Sequence, residues 1–381
     1  METVRPTTPA ELAQTLRVLA LSSTAIRLGG NFTKDRMGGR PDPAATLVST
    51  SALNRVLQYE PNDLTISVEA GLPYRELAKI LAEHSQMIPL DPPLAGEATI
   101  GGAVAANCSG PRRRLYGTAR DMVIGMQFAT VEGKLVSSGG MVVKNVAGLD
   151  MAKLMIGSFG TLAAIAVLNF KLLPMPKGST TFLYLLDSLE EATARQESLL
   201  RGVLQPMAID LLNPAASRCL GRDGFILAVQ AGGTPAVLAR VRRELGGAET
   251  LENGAEKSFW HGIRDFASTW ARTHEVGAVV RLSCPIGKLP EVFSRAEGPM
   301  LARAGNGVCY ACFEASPQAV EWLREMESGG FRGVVEWGPE GGLAAEEQWP
   351  CPGEDLAVMQ RIKQLFDPWR LLNRGRLYGR I

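Results

Sequence analysis

The sequence predicts an α+β protein of two domains. Three observations carry that prediction. Short strands with alternating or continuous apolar patterns are interleaved with helices of amphipathic period in both halves of the chain. The turn-forming cluster PMPKGSTT at Pro174 to Thr181 punctuates the chain between the halves. The length of 381 residues suffices for two or three domains of about 100–200 residues each. With 46% hydrophobic and 21% charged residues the composition is that of an ordinary folded chain, and its 41 glycines call for tight turns or close main-chain approaches. Forty basic against 39 acidic side chains make no electrostatic case for nucleic acid or an anionic membrane surface.

The first element is a helix of about a dozen residues. Thr8 stands at its cap, Pro9 at the first helical position and Glu11 in the first turn, with Leu12, Leu16 and Leu19 on one face. TAIRL then reads as a strand running into the loop GGNFTKD, and TLVST, RVLQYE and LTISVEA as further strands, the last two joined at Pro61-Asn62-Asp63. A helix is expected from Pro73 to His84, with Tyr74, Leu77, Ile80 and Leu81 inward. MVIGMQFAT and KLVSSGG form a predicted hairpin at Val131-Glu132-Gly133, and TLAAIAVLNFKLLP a long closing strand, so the strands of the first half are expected to be largely sequential. Beyond the boundary come a strand at Thr181 to Leu186, a helix through Ser188 to Arg201, a strand at Phe225 to Gln230 and a helix from Thr234 into Leu245.

The opening METVRPTTPAELAQ lacks the basic start and apolar run of a secretory signal, which predicts a cytoplasmic protein. The longest uncharged run, Leu154 to Phe170, is shorter than the ~20 residues of a membrane-spanning helix. Of the six cysteines only Cys309 and Cys312 have C-x-x-C spacing, in GVCYACFE, where alternation favours a half-buried strand over a redox or zinc pair. No metal site is expected.

The fingerprints G-x-G-x-x-G, G-x-x-x-x-G-K-[ST] and H-E-x-x-H are absent. Two glycine-rich segments remain, RLGGNFTKD at Arg27 to Asp35 and ATIGGAVAANCSG at Ala98 to Gly110. A buried diphosphate needs peptide N–H groups aimed at it, and glycine allows the main chain to come that close. Each segment alone is weak evidence. Taken in order with GLDMAKLMIGSFGTLAAIAVLNFKLLP and with QLFDPWRLLNRGRL near the end, they resemble the FAD-binding domain of the vanillyl-alcohol oxidase family, also termed the PCMH-type FAD-binding family. Within it the likeness is greatest to the FAD-binding subunits of bacterial glycolate oxidases, and it covers roughly residues 5–177 and the tail.

That resemblance implies a PCMH-type FAD-binding domain over 1–177, an α+β cap or substrate domain over 178–350, and a segment 351–381 that returns to the first domain. It implies that Gly29, Gly30, Asn31, Phe32 and Thr33 hold the FAD diphosphate. Pro93, Thr99, Gly101, Gly102, Ala105, Asn107 and Gly110 would lie along the flavin ring, with Tyr116, Gly117 and Asp121 following and Ile165 near the adenine. Asn373 and Arg376 match the returning tail. At most one of Arg112, Arg113 and Arg114 is expected to reach the cofactor. The resemblance implies that covalent attachment of FAD, where it occurs, uses a histidine in the first loop, sometimes with a cysteine in the second; the first loop here has no histidine, so the FAD is expected to be noncovalent, and Cys108 in the second segment reads as a small buried residue.

Catalysis is where the sequence departs from its relatives. The GDGNLH and EHG segments of catalytic members are missing, and the three histidines are His84, His261 and His274. The segment KSFWHGIRDFASTWARTHE reads as a core helix with Phe259, Trp260, Ile263, Phe266 and Trp270 on one face, or alternatively as the carrier of Arg264, a candidate carboxylate clamp. Lys144 is the other weak catalytic candidate, in VVKNVAGLD, which matches a family segment near the flavin. Two functions stay open. One is an active subunit passing a hydride from a 2-hydroxy acid such as glycolate to FAD, within a complex or as a stand-alone oxidoreductase. The other is a catalytically silent assembly or electron-relay subunit; a reductase of the UDP-N-acetylenolpyruvoylglucosamine type is a more remote reading. The resemblance implies two partners, a larger FAD-containing glycolate oxidase subunit and an iron–sulfur subunit, with membrane association only through them.

Overall fold

The amino-terminal helix forms where its cap predicts. Thr8 Oγ1 accepts from the Glu11 N–H at 3.1 Å, and the Glu11 carboxylate accepts from Thr7 N–H at 2.7 Å, which closes the first turn over Pro9–Leu21. Its inward Leu12 and Leu16 are wholly buried against Ile26, Val48, Leu53, Ala129, Leu371 and Leu372. The computed structural model describes residues 3–141 and 149–381, which divide into two compact units: 3–109, 117–141, 149–175 and 352–381 in the first, 110–116 and 176–351 in the second.

The first unit contains two main sheets. β1 (Thr3–Val4), β2 (Ile26–Gly29) and β3 (Thr46–Ser49) form a parallel sheet in the order β1-β3-β2. β4 (Val56–Glu60), β5 (Thr65–Glu69), β7 (Val123–Ala129), β8 (Leu135–Gly139) and β9 (Ala164–Lys171) form an antiparallel sheet in the order β4-β5-β9-β7-β8. The strand order is therefore not sequential at its centre. The last strand, AIAVLNFK, is the most continuously apolar of the five and takes the interior place between β5 and β7, where both faces are covered. The expected long closing strand is broken after Lys171. β10 (Leu173–Pro174) pairs instead with β6 (Gln86–Met87), while the Leu172 N–H turns to Leu64 O at 2.7 Å. The helix expected over 73–84 spans Tyr74–Ala82, with Leu77 and Leu81 buried.

The second unit is an eight-stranded antiparallel sheet. β11 (Gly178–Leu186), β12 (Ala208–Leu212), β13 (Phe225–Gly233), β14 (Glu249–Leu251), β15 (Ala278–Ser283), β16 (Met300–Arg303), β17 (Val308–Phe313) and β18 (Arg332–Trp337) run in the order β14-β11-β13-β12-β16-β17-β15-β18. β11 and β13 extend past their apolar stretches into glycine because each supplies the other's ladder, from Gly178 opposite Gly233 to Leu186 opposite Phe225. Helices Leu189–Arg201, Pro235–Glu244 and Ser316–Ser328 contribute to the core on one face, through Leu199, Val241 and Leu323. The helix Asn253–Thr273 packs on the other, where buried Glu256 accepts from Thr181 Oγ1 at 2.9 Å and Trp260 Nε1 donates to the same hydroxyl at 2.6 Å. Cys309 and Cys312 sit in interior strand β17 and are both buried, whereas Val308 and Tyr310 of the same strand are partly exposed.

Leu16 and Leu21 test this packing directly. Leu16→Ala is expected to cost about 2–5 kcal/mol in urea unfolding. Leu21, 79% exposed at the end of the same helix, should cost less than about 0.5 kcal/mol when replaced by alanine. Equal losses would contradict the orientation of the helix.

Candidate functional site

A cleft opens to solvent in the first unit. Its walls come from the β2–β3 connection, the segment 99–106, the turn before β9 and the carboxy-terminal tail.

β2 delivers the first wall. Gly29 O accepts from Thr50 N–H at 2.8 Å and Gly30 O from Ser49 Oγ at 2.7 Å, so both carbonyls are anchored on the end of β3 and the residue after it. The chain then turns through Phe32, whose φ of +53° is left-handed. Among the described residues the N–H groups of Gly30, Asn31, Phe32 and Thr33 have no protein acceptor, and all four residues line the cleft. A Cβ on Gly29 would stand 2.7 Å from the Phe32 ring, and one on Gly30 would overlap Thr99, so side chains are excluded by close packing. Asn31 Nδ2 donates to Glu97 O at 2.7 Å and ties this loop to the second segment.

The second segment is a short helix, Ile100–Ala105, and not the loop its glycines suggest. Thr99 caps it, Oγ1 accepting from Gly102 N–H at 3.2 Å, and the Ile100 and Gly101 N–H groups are spent on Leu72 O and Ala70 O. Gly101 is pressed against the end of β5, where a Cβ would stand 2.6 Å from the Ala70 Cβ. Gly102 has no such neighbour, since a Cβ there would meet only Thr99 Oγ1 at 3.1 Å, and its backbone is not left-handed. With Gly102, Ala105 and Ala106 the helix presents a wall nearly free of side chains.

The third contribution comes from the tail, whose match to a family segment carries no site role by itself. Asn373, left-handed at φ +46°, accepts from Leu28 N–H at 2.7 Å and donates to Phe159 O at 2.6 Å and Leu28 O at 3.1 Å. Arg376 is buried over the Phe159 ring and donates to Lys34 O, Asp35 O and Gly39 O at 3.0–3.1 Å. Burial pushes its guanidinium pKa down to about 10, although Asp35 opposes the shift. Arg27 pairs with Asp35, and its Nε is buried with no partner among the described residues. Three cations, Arg27, Lys34 and Arg376, thus line the same cleft as the unspent N–H groups.

Of the residues assigned from sequence, Gly29, Gly30, Asn31, Phe32, Thr33, Thr99, Gly101, Gly102, Ala105 and Ile165 line the cleft. Pro93, Asn107, Gly110, Tyr116, Gly117 and Asp121 are outside its lining. Asp121 serves the local chain. Asp121 Oδ2 accepts from Thr118 N–H at 2.7 Å in a capping box, a bond that holds its pKa below the usual carboxylate range. Cys108 is buried and does not line the cleft either. Arg114 donates to Pro206 O within the second unit, and Arg113 is exposed. Lys144 lies outside the described residues.

Arg264 is not poised as a clamp. Its Nε and Nη2 already engage Asp265 at 3.0 and 3.1 Å, and His261 Nε2 lies 3.1 Å from the same carboxylate. The helix that carries it buries Phe259, Trp260, Ile263 and Phe266, which is the core-packing alternative. Elsewhere on that face of the second unit's sheet Arg303 pairs with Asp210, and Arg281 Nε meets Glu336 Oε1 at 2.7 Å. Burial pushes the Glu336 pKa up against the pull of Arg281.

The cleft fits FAD on its own chemistry. Unspent N–H groups and cations suit a diphosphate, and a glycine–alanine wall suits a flat ring. Comparison with known proteins agrees. Residues 2–139 match a family model described as an FAD binding domain. The chain is 29% identical over 349 residues to glycolate oxidase subunit GlcE of Escherichia coli (strain K12), covering 90% of each. It is 26% identical over 372 residues to the mitochondrial D-lactate dehydrogenase [cytochrome] of Arabidopsis thaliana, covering 87% of this chain and 65% of that one. Over 210 residues it is 26% identical to glycolate oxidase subunit GlcD of Bacillus subtilis (strain 168), of which it spans 45%. Two solved structures share the fold: 4-ethylphenol oxidase from Gulosibacter chungangensis, with a TM-score of 0.76 at 16% identity over 98% of this chain and 88% of that one, and an alkyldihydroxyacetonephosphate synthase, with 0.71 at 15% over 97% and 75%. No helix among the described residues is long and apolar enough to cross a membrane.

Two neighbouring glycines separate packing from binding. Gly102→Val should leave the protein folded but strip it of flavin, read as the flavin-to-protein absorbance ratio after purification, because the new side chain enters the cleft. Gly101→Val should instead lower the urea midpoint, because its side chain collides with Ala70. Full flavin occupancy in Gly102→Val would remove the helix from the cofactor site.

Proposed function

For a chain that belongs to the PCMH-type FAD-binding oxidoreductases, we propose the role of FAD-binding subunit in a complex that oxidises a 2-hydroxy acid, with glycolate as the first substrate to test. The observation that carries this reading is a pairing: a cleft suited to FAD in one unit, and in the other a sheet face whose arginines already answer carboxylates. Similarity to GlcE over nine-tenths of both chains supports the subunit assignment. The partners are then a larger FAD-containing subunit and an iron–sulfur subunit, with the assembly facing the cytoplasm.

When bound, FAD supplies the two-electron acceptor for alcohol oxidation or an electron-relay station. On this reading the N–H groups of Gly30 to Thr33, with Arg27 and Lys34, hold the diphosphate. Gly102, Ala105 and Ala106 carry the ring, and Arg376 fixes the carbonyls of the first loop. Oxidising a 2-hydroxy acid further requires a base within about 3 Å of the hydroxyl and a cation for the carboxylate. Arg264, Arg281 and Arg303 are each committed to an internal carboxylate, which favours relay or assembly here and places the substrate step on the partner flavoprotein.

The flavin should leave with the supernatant after acid precipitation, since the first loop has no histidine and Cys108 is outside the cleft lining. Flavin retained in the washed pellet would refute noncovalent binding. In anaerobic single-turnover experiments, glycolate or D-lactate should reduce the lone chain at least ~100-fold more slowly than the assembled complex, the usual worth of general acid–base catalysis. Arg264→Ala should leave the complex's activity nearly unchanged. Reduction of the lone chain at the rate of the complex would overturn the relay reading in favour of an active subunit.

A further inference from the structure

Lys363 is a lysine where a folded protein rarely keeps one. It sits on the helix Asp355–Phe366, its side chain is 5% exposed, and it is outside the cleft lining. Its ammonium has three protons and three acceptors: Thr161 O at 2.8 Å, Leu372 O at 3.0 Å and Asp367 Oδ2 at 2.6 Å. Asp367 is wholly buried as well, and accepts in turn from Leu371 N–H at 3.0 Å and Leu372 N–H at 2.8 Å. Burial pulls the Lys363 pKa down although Asp367 opposes it, so the charge is held at a cost.

The places it joins explain why. Thr161 lies two residues beyond Phe159, and Leu372 is next to Asn373. One ammonium therefore ties together the two stretches of main chain that meet again at the cleft, through the bond from Asn373 Nδ2 to Phe159 O. Both Phe159 and Asn373 are left-handed there, at φ +52° and +46°, a conformation that asparagine adopts readily but that a phenylalanine keeps only where the surroundings hold it. We propose that Lys363 is a positioning residue for FAD: through Asp367 and Leu372 it sets the place of Asn373 and Phe159, and with them the depth of the cleft and the tightness of cofactor binding. The proposal rests on the reading of this cleft as the FAD site.

The test is a double-mutant cycle on the full chain, titrating apoprotein with FAD and recording affinity, release rate and the visible circular dichroism of the bound flavin. Lys363→Met should weaken FAD binding about tenfold, the scale of a charge-assisted bond, chiefly through faster release and with an altered flavin dichroism. Leu77→Ala, a buried change in the same unit away from the cleft, should lose stability while keeping affinity within about threefold. Lys363→Met with Asn373→Ala should bind FAD no more weakly than Asn373→Ala alone. Should Lys363→Met fail to fold, Lys363→Gln, which keeps two donors for Thr161 O and Leu372 O, carries the same cycle. Affinity and dichroism like those of the unmodified protein, or losses that multiply in the double variant, would overturn the proposal. Gly102→Val keeps the two failures apart: if it retains FAD the cleft reading itself is wrong, whereas if it loses FAD while Lys363→Met binds normally, only the positioning role falls.

Discussion

The cofactor cleft depends on one contact made by the end of the chain. Asn373 satisfies both polar groups of Leu28 and reaches across to Phe159 O, bonds that span 345 and 214 residues of sequence. They join the strand that leads into the first glycine loop and the turn that leads into β9 through one side chain. Arg376 extends the same clamp by three hydrogen bonds to the main chain of the loop. A guanidinium taken out of water is expensive, and the offset here comes from its hydrogen bonds to these three carbonyls.

That architecture explains why some features were legible in the sequence and others were not. The glycine segments were legible because their signal is local: paired glycines after a strand are visible wherever they occur. The helix cap at Thr8 was legible for the same reason and forms as its spacing predicts. The place of β9 was not legible, since period and length identify a strand but not its neighbours. The helix at Ile100–Ala105 reads as a loop in sequence because two adjacent glycines argue against helix by propensity. Tertiary bonds from Ile100 and Gly101 to the segment after β5 override that penalty. Asn373 and Arg376 match a family segment, yet nothing in the local pattern of RLLNRGRL says that one residue reaches Leu28 and the other Lys34.

The two units carry charge in different ways, and the contrast bears on function. In the first, Arg27, Lys34 and Arg376 line the cleft against the single carboxylate of Asp35, which Arg27 pairs, and stand beside main-chain N–H groups that have no acceptor among the described residues, an arrangement that leaves net positive potential for an anion. In the second, Arg303 faces Asp210, Arg281 faces Glu336 and Arg264 faces Asp265, so the charge is consumed within the protein. Such pairs specify packing at some cost in desolvation and give little attraction to an outside carboxylate.

The central claim is that the first glycine loop, the wall at 101–106 and the tail together enclose FAD. A crystal structure of the flavin-loaded chain tests it most directly. The account predicts diphosphate oxygens within hydrogen-bond distance of the N–H groups of Gly30 to Thr33, the ring system against Gly102 and Ala105, and Asn373 still bonded to Leu28 and Phe159. Flavin density anywhere else, or a tail displaced from Leu28 while FAD remains bound, would contradict it.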